Sequence, residues 1–160
     1  MAAHDPRPDE GYWRLVEPVW RSVSIYDGSE AFLEQFACLR PEVGHLLAAH
    51  WCQSEVRNGG LHQFFMNGTG VLAPEAAAGF EAIGIPEWAA ILVEAMDWFG
   101  APYPRDKNER WAMLAAISPQ GQRIAWDPFS DLDERFYAWL QAEDNRWCRV
   151  ADTYATRVEG

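Results

Sequence analysis

Between Arg57 and Arg105 this chain of 160 residues has no lysine and no arginine. Over its whole length it has 13 of them against 24 aspartates and glutamates, a formal charge of −11. A nucleic-acid binder needs a basic face to displace condensed counterions, so direct binding to nucleic acid is not expected. Attachment to an anionic membrane surface is disfavoured for the same reason. There is no CxxC pair. Cys38, Cys52 and Cys148 are scattered, which reads as free thiols in reducing surroundings. No run approaches the ~18 apolar residues of a membrane span. The opening MAAHDPRPDE lacks the apolar core of a signal peptide, so a cytoplasmic location is expected. There is no repeat, linker or low-complexity tract, so residues 1–160 are expected to form a single domain. Sustained period-two alternation of β-branched residues is missing too. The expected fold class is all-α, a compact irregular helical bundle.

What is present cuts the chain into short helices. Asp9 caps a first helix through Trp13 and Val16, kinked or restarted at Pro18 and continuing to about Ile25. Asp27-Gly28 makes a turn, and Ser29 is the expected N-cap of SEAFLEQFACL. Pro41 opens a helix on which Val43, Leu46, Leu47, His50, Trp51 and Ser54 share a face. That helix ends at Gly59-Gly60. A short helical LHQFFMN follows, capped by Asn67 or Gly68. APEAAAGFEAIG closes at Gly84, and PEWAAILVEAMDWFG runs from Pro86 to Gly100. Asp106 caps DKNERWAMLAAI, and residues 121–130 read as loop. The last stretch is one long helix, or two broken near Asp144-Asn145.

Charge is uneven along these elements. Glu75, Glu81, Glu87, Glu94 and Asp97 lie in the segment without lysine or arginine. On the helix from Pro86, Trp88, Leu92, Ala95, Met96 and Phe99 form the core side, while Glu87, Glu94 and Asp97 form an opposite stripe with Trp98 close by. Seven residues of helix rise ~10 Å, a scale comparable to phosphates along a DNA strand. Asp127, Asp131, Asp133 and Glu134 are a second acidic group, relieved by Arg135. The bland alternative is a solvated helix face. Against it stands the one-signed charge, since exposed faces normally mix signs.

The densest stretch of specific side chains is SEVRNGGLHQFFMNGTG, residues 54–70. Gly59-Gly60 allows positive φ or close backbone approach. Asn58 can take left-handed φ before the glycines. Glu55, if half-buried, needs donors, which the free N–H groups at Leu61–Phe64 would supply. Gln63 and Asn67 tie the corner to backbone, and Phe64 and Phe65 anchor it in the core. An enzyme would use Glu55 and His62 as acid and base, but no nucleophile accompanies them. A metal site from His45, His50, Cys52 and His62 suffers from the five-residue spacing of the first two histidines. A phosphate loop fails for want of its lysine. A small-molecule or peptide pocket built on Glu55, Asn58, His62, Gln63 and Asn67 is the main alternative to an acidic interaction module.

The run Glu55, Val56, Asn58, Gly59, Gly60, Gln63, Phe64, Phe65 and Asn67 resembles the family typified by a small acidic bacterial DNA-mimic protein. APEAAAGFEAIG and LDERFY are similar to it as well, so the likeness covers residues of about 30–140. Arg57 and Leu61 depart from it, where a small polar residue and an aromatic belong. The resemblance implies an all-α, dimeric protein without enzyme activity, and the residues themselves give no reason to expect a cofactor or metal. It implies a basic DNA-binding protein as partner, met by carboxylates where DNA presents phosphates. The candidate partner-binding residues are therefore Glu75, Glu81, Glu87, Glu94, Asp97, Trp98, Asp127, Asp131, Asp133 and Glu134.

Overall fold

A computed structural model describes residues 11–119 and 126–159. The described residues form helices and turns, with no strand among them. The helices are α1 (Trp13–Trp20), α2 (Ser29–Ala37), α3 (Pro41–Met66), α4 (Ala73–Ile83), α5 (Pro86–Met96), α6 (Lys107–Ile117), α7 (Ser130–Gln141) and α8 (Arg146–Glu159). The all-α class is as the sequence predicts. No helix among the described residues is long and apolar enough to cross a membrane.

α3 is the spine, and its first part runs through the core with Leu46, Leu47, Ala48 and Ala49 fully buried. α4 packs on it closely, because Gly79 has no side chain. A Cβ there would stand 2.7 Å from the His45 carbonyl oxygen. α4 ends as its sequence signals: Gly84 turns left-handed (φ 103°), and Ile85 N–H reaches back to the Phe80 carbonyl at 2.8 Å. α5 then returns along α4. Its Trp88 stacks on Phe136 of α7 with ring centroids 3.9 Å apart and planes 7° off parallel. Trp147 of α8 joins the same cluster. The expected register of α5 holds, with Trp88, Leu92, Ala95 and Phe99 buried. Asp106 caps α6 by accepting from Asn108 and Glu109 N–H at 2.8 and 3.1 Å.

Three local expectations need correction, for α1, Ser29 and Asn58. α1 stops at Trp20 rather than near Ile25, because after Pro18 the chain turns at Ser22 and a 3-10 turn over Ile25–Asp27 starts under the Ser24 side chain. Asp9, the proposed cap, lies outside the described residues, as do residues 121–125 of the expected loop. Ser29 does not cap α2; it is the first helical residue, and Gly28 (φ 92°) makes the turn instead. Asn58 stays helical, and the positive φ falls on Gly60 (79°), where no Cβ resists it. The C-terminal stretch is two helices, separated at Asn145 (φ 53°).

Candidate functional site

The glycine pair splits α3. Gly59 (φ −154°, ψ 21°) and Gly60 (φ 79°, ψ 176°) leave the helical region, and a short helical segment resumes at Leu61. The break frees N–H groups at the start of that segment and carbonyls at its end. Each set is met by a charge. At the start, the Asp133 carboxylate accepts from Leu61 N–H at 2.9 Å. A Cβ at Gly60 would lie 2.7 Å from that carboxylate, so the glycine is needed for the approach. Burial raises the Asp133 pKa, the Leu61 N–H opposes the shift, and Asp127 adds to it.

At the far end sits Arg110, wholly buried. Its guanidinium donates to the carbonyls of Phe65 (2.7 Å), Asn67 (2.9 Å), Arg105 (2.8 Å) and Pro104 (3.1 Å). A cation at the carbonyl end of a helix suits the peptide dipole. Burial lowers its pKa, while Tyr103 and Asp106 pull the other way. Gly70 makes room for it: a Cβ there would be 2.7 Å from the Phe64 carbonyl oxygen and 3.0 Å from the guanidinium.

Glu55 binds the two halves of the corner together. Its carboxylate accepts from Gln63 Nε2 (2.6 Å), Asn67 Nδ2 (3.0 Å) and Thr69 Oγ1 (3.2 Å). Two expectations change here. Glu55 does not meet the free N–H groups at Leu61–Phe64, because Asp133 occupies that place. Gln63 and Asn67 donate to the carboxylate of Glu55 rather than tying the corner to backbone. Phe64 and Phe65 are fully buried, as expected.

The corner offers little chemistry. His62 is not among the hydrogen-bonding partners of Glu55, so the acid and base of the enzyme reading are not brought together. His45 shares a hydrogen bond with the Tyr154 hydroxyl (2.9 Å), and His50 with the Tyr12 hydroxyl (2.7 Å). Burial among aromatic rings lowers the His50 pKa to about 4. Cys52 is buried, and burial pushes its thiol well up, away from nucleophilic use. Among the described residues no group of three or more His, Cys, Asp or Glu is placed to hold a metal ion.

The structure sorts the acidic residues by what they touch. Glu75 is paired with Arg105 at 2.6 Å, and Glu94 with Arg135 at 2.8 Å. A sequence gap without lysine or arginine is therefore not a spatial gap, because arginines from later elements fold back onto it. Asp127 accepts from Phe129 N–H at 2.8 Å before α7, and Asp133 serves the corner. Glu81, Glu87, Asp97, Asp131 and Glu134 are exposed and have no ion pair among the described residues. α5 and α7 pack on each other, so the acids of both helices belong to neighbouring elements, crossed by the Arg135–Glu94 pair. Trp98 is 42% exposed and sets its ring edge against Trp126. Val93 of α5 is half exposed.

Sequence reasoning missed Arg110, Asp133 as a cap, and Thr69. For Arg110 a signal existed: it stands one turn before Leu114 on α6 and shares its core-facing side. For Asp133 none existed, since its partner is 72 positions away.

No curated protein and no solved structure matches the chain significantly. The family model described as DMP19-like protein matches residues 37–157, a span that includes the glycine corner, Arg110, the acidic helices and most of α8. On that match the chain belongs to the DMP19-like protein family.

Proposed function

We propose that this protein is a non-enzymatic acidic interaction module, a DNA mimic that occupies the DNA-binding surface of a basic protein. The observation that carries the reading is the set of exposed, unpaired carboxylates on adjacent elements: Glu87 from α5 and Asp97 in the turn just after it, Asp131 and Glu134 from α7. These acids stay open, while Glu75 and Glu94 are paired with arginines. Family membership agrees, given the resemblance noted in its motif. Trp98 and Val93 at the edge supply apolar contact area beside the charge, the arrangement expected of a protein interface with a polar rim.

The partner is a basic DNA-binding protein, and the encounter is steered by charge. Glu94 contributes through its balance with Arg135, so that arginine moderates the face. Asp133 and Asp127 act mainly within the fold. Two copies pairing would extend the acidic surface, and sedimentation equilibrium tests that part of the reading.

The pocket alternative is weaker, because the amides of Gln63 and Asn67 are already spent on Glu55. The test is replacement of Glu87, Glu94 and Asp97 together by neutral amides. Capture of the partner should weaken, and added salt should weaken the wild type in the same direction. Binding indifferent to both changes would refute the reading.

A further inference from the structure

In so acidic a molecule the place where the sign reverses stands apart. Arg146, Arg149 and Arg157 of α8 line one groove of about 350 Å³, with Thr153 between them and Ile83 of α4 on its wall. Three of the chain's 13 lysines and arginines thus meet there, and Glu143 is the lining carboxylate. Positions 146, 149, 153 and 157 step by three and four, which puts them on one helix face.

Two of these guanidinium groups lie over aromatic rings. Arg146 lies over Trp139 with its Cζ 4.2 Å from the ring centroid, and its Nη1 donates to the Trp139 carbonyl at 3.0 Å. Arg157 lies over Tyr154 at 5.4 Å, and that ring is itself fixed through its hydroxyl to His45. A guanidinium placed over a ring in this way is drawn to its face and still offers N–H groups to a ligand. Arg14, Arg40, Arg105 and Arg135 each have a carboxylate partner. Arg146 and Arg157 have none among the described residues, in a chain with 24 acids to choose from. Arg149 is paired with Glu143. Charges of one sign at such spacing repel, and an anion between them removes that cost.

We propose that this groove binds a small dianionic ligand through its phosphate or carboxylate groups, one end at Arg146 and Arg149 and the other at Arg157 and Thr153. The two ends, one centred between Arg146 and Arg149 and the other between Thr153 and Arg157, lie ~11 Å apart along the helix, so an extended dianion suits the groove better than a compact one. Oxyanions fit the planar donor edge of arginine in pairs of hydrogen bonds. The residues lining the groove include none of Glu87, Asp97, Asp131 and Glu134, and the proposal does not depend on the mimic reading.

The test is calorimetric titration of the intact protein at fixed ionic strength with fructose 1,6-bisphosphate, adipate and inorganic phosphate, and with chloride as the control. Binding of the bisphosphate or of adipate, tighter than phosphate, is the expected result, and which one binds identifies the anionic group. Arg157→Gln should weaken binding about five- to tenfold. Glu143→Gln should tighten it, because it frees Arg149. A merely structural role for the cluster would not produce that gain. No heat beyond the chloride control, unchanged affinity in the Arg157 variant, or weaker binding in the Glu143 variant would each overturn the proposal.

Discussion

Glu55 shows how one side chain can hold a corner. Its carboxylate takes three donors from the far side of a break in the helix that carries it. Truncation leaves two amides and a hydroxyl without their acceptor. Glu55→Ala should therefore cost about 1–3 kcal/mol and lower the melting temperature. A melting temperature unchanged within error, together with a lost activity, would assign the corner to chemistry instead. His50 sets a different residue-scale expectation. Its ring is neutral in the fold, with its pKa near 4 against an ordinary value of 6.5. The unfolded chain takes up a proton between those values and the folded one does not. Its contribution is thus present above pH 6.5, declines as pH falls, and is gone below about 4. The urea midpoint of the wild type should fall from pH 7 to pH 4.5. His50→Gln, less stable at pH 7, should lose less over the same interval. Parallel losses would contradict this origin.

At the scale of the element, the short segment after Gly60 is stabilised by charges at both ends, Asp133 at its N–H groups and Arg110 at its carbonyls. Too short to persist alone, it depends on these caps and on buried Phe64 and Phe65. Asp133→Asn keeps an acceptor for Leu61 N–H and should cost less than about 1 kcal/mol, whereas Asp133→Ala should cost about 1–2 kcal/mol. Arg110→Met, which fills the space but abandons four carbonyls, should cost about 3–5 kcal/mol by denaturant unfolding. Equal stability of the Asn and Ala variants would remove Asp133 from this role. The helices and most of their ends were legible beforehand, because proline at first turns, glycine at last turns and helical spacing act over three or four residues. Ser29 and Asn58 were misassigned because a neighbouring glycine took the unusual φ more cheaply. The caps of the corner were illegible, since Asp133 and Arg110 reach it from helices distant in sequence. The same limit hid the arginines that return to Glu75 and Glu94.

For the whole molecule, the proposed function rests on the open carboxylates of α7, of α5 and of the turn after α5, beside an exposed tryptophan. Arg135 is the cation that crosses this face, and its ion pair with Glu94 is exposed on both sides. Such a pair adds little to stability. Arg135→Gln should therefore leave the melting temperature nearly unchanged and tighten capture of a basic partner by a factor of a few at low salt. A loss of affinity would show that the arginine makes contact itself. The opposite electrostatics of the α8 groove leave the two surfaces separable by mutation.

The most direct measurement of the central claim is displacement of DNA. A basic DNA-binding protein captured at low salt is loaded with a labelled duplex, and the anisotropy of the duplex is followed as this protein is added. The account predicts that the wild type releases the duplex, that release declines as salt rises, and that the variant with Glu87, Glu94 and Asp97 neutralised releases it poorly. A ternary complex in which the duplex stays bound, or equal release by the neutralised variant, would contradict it.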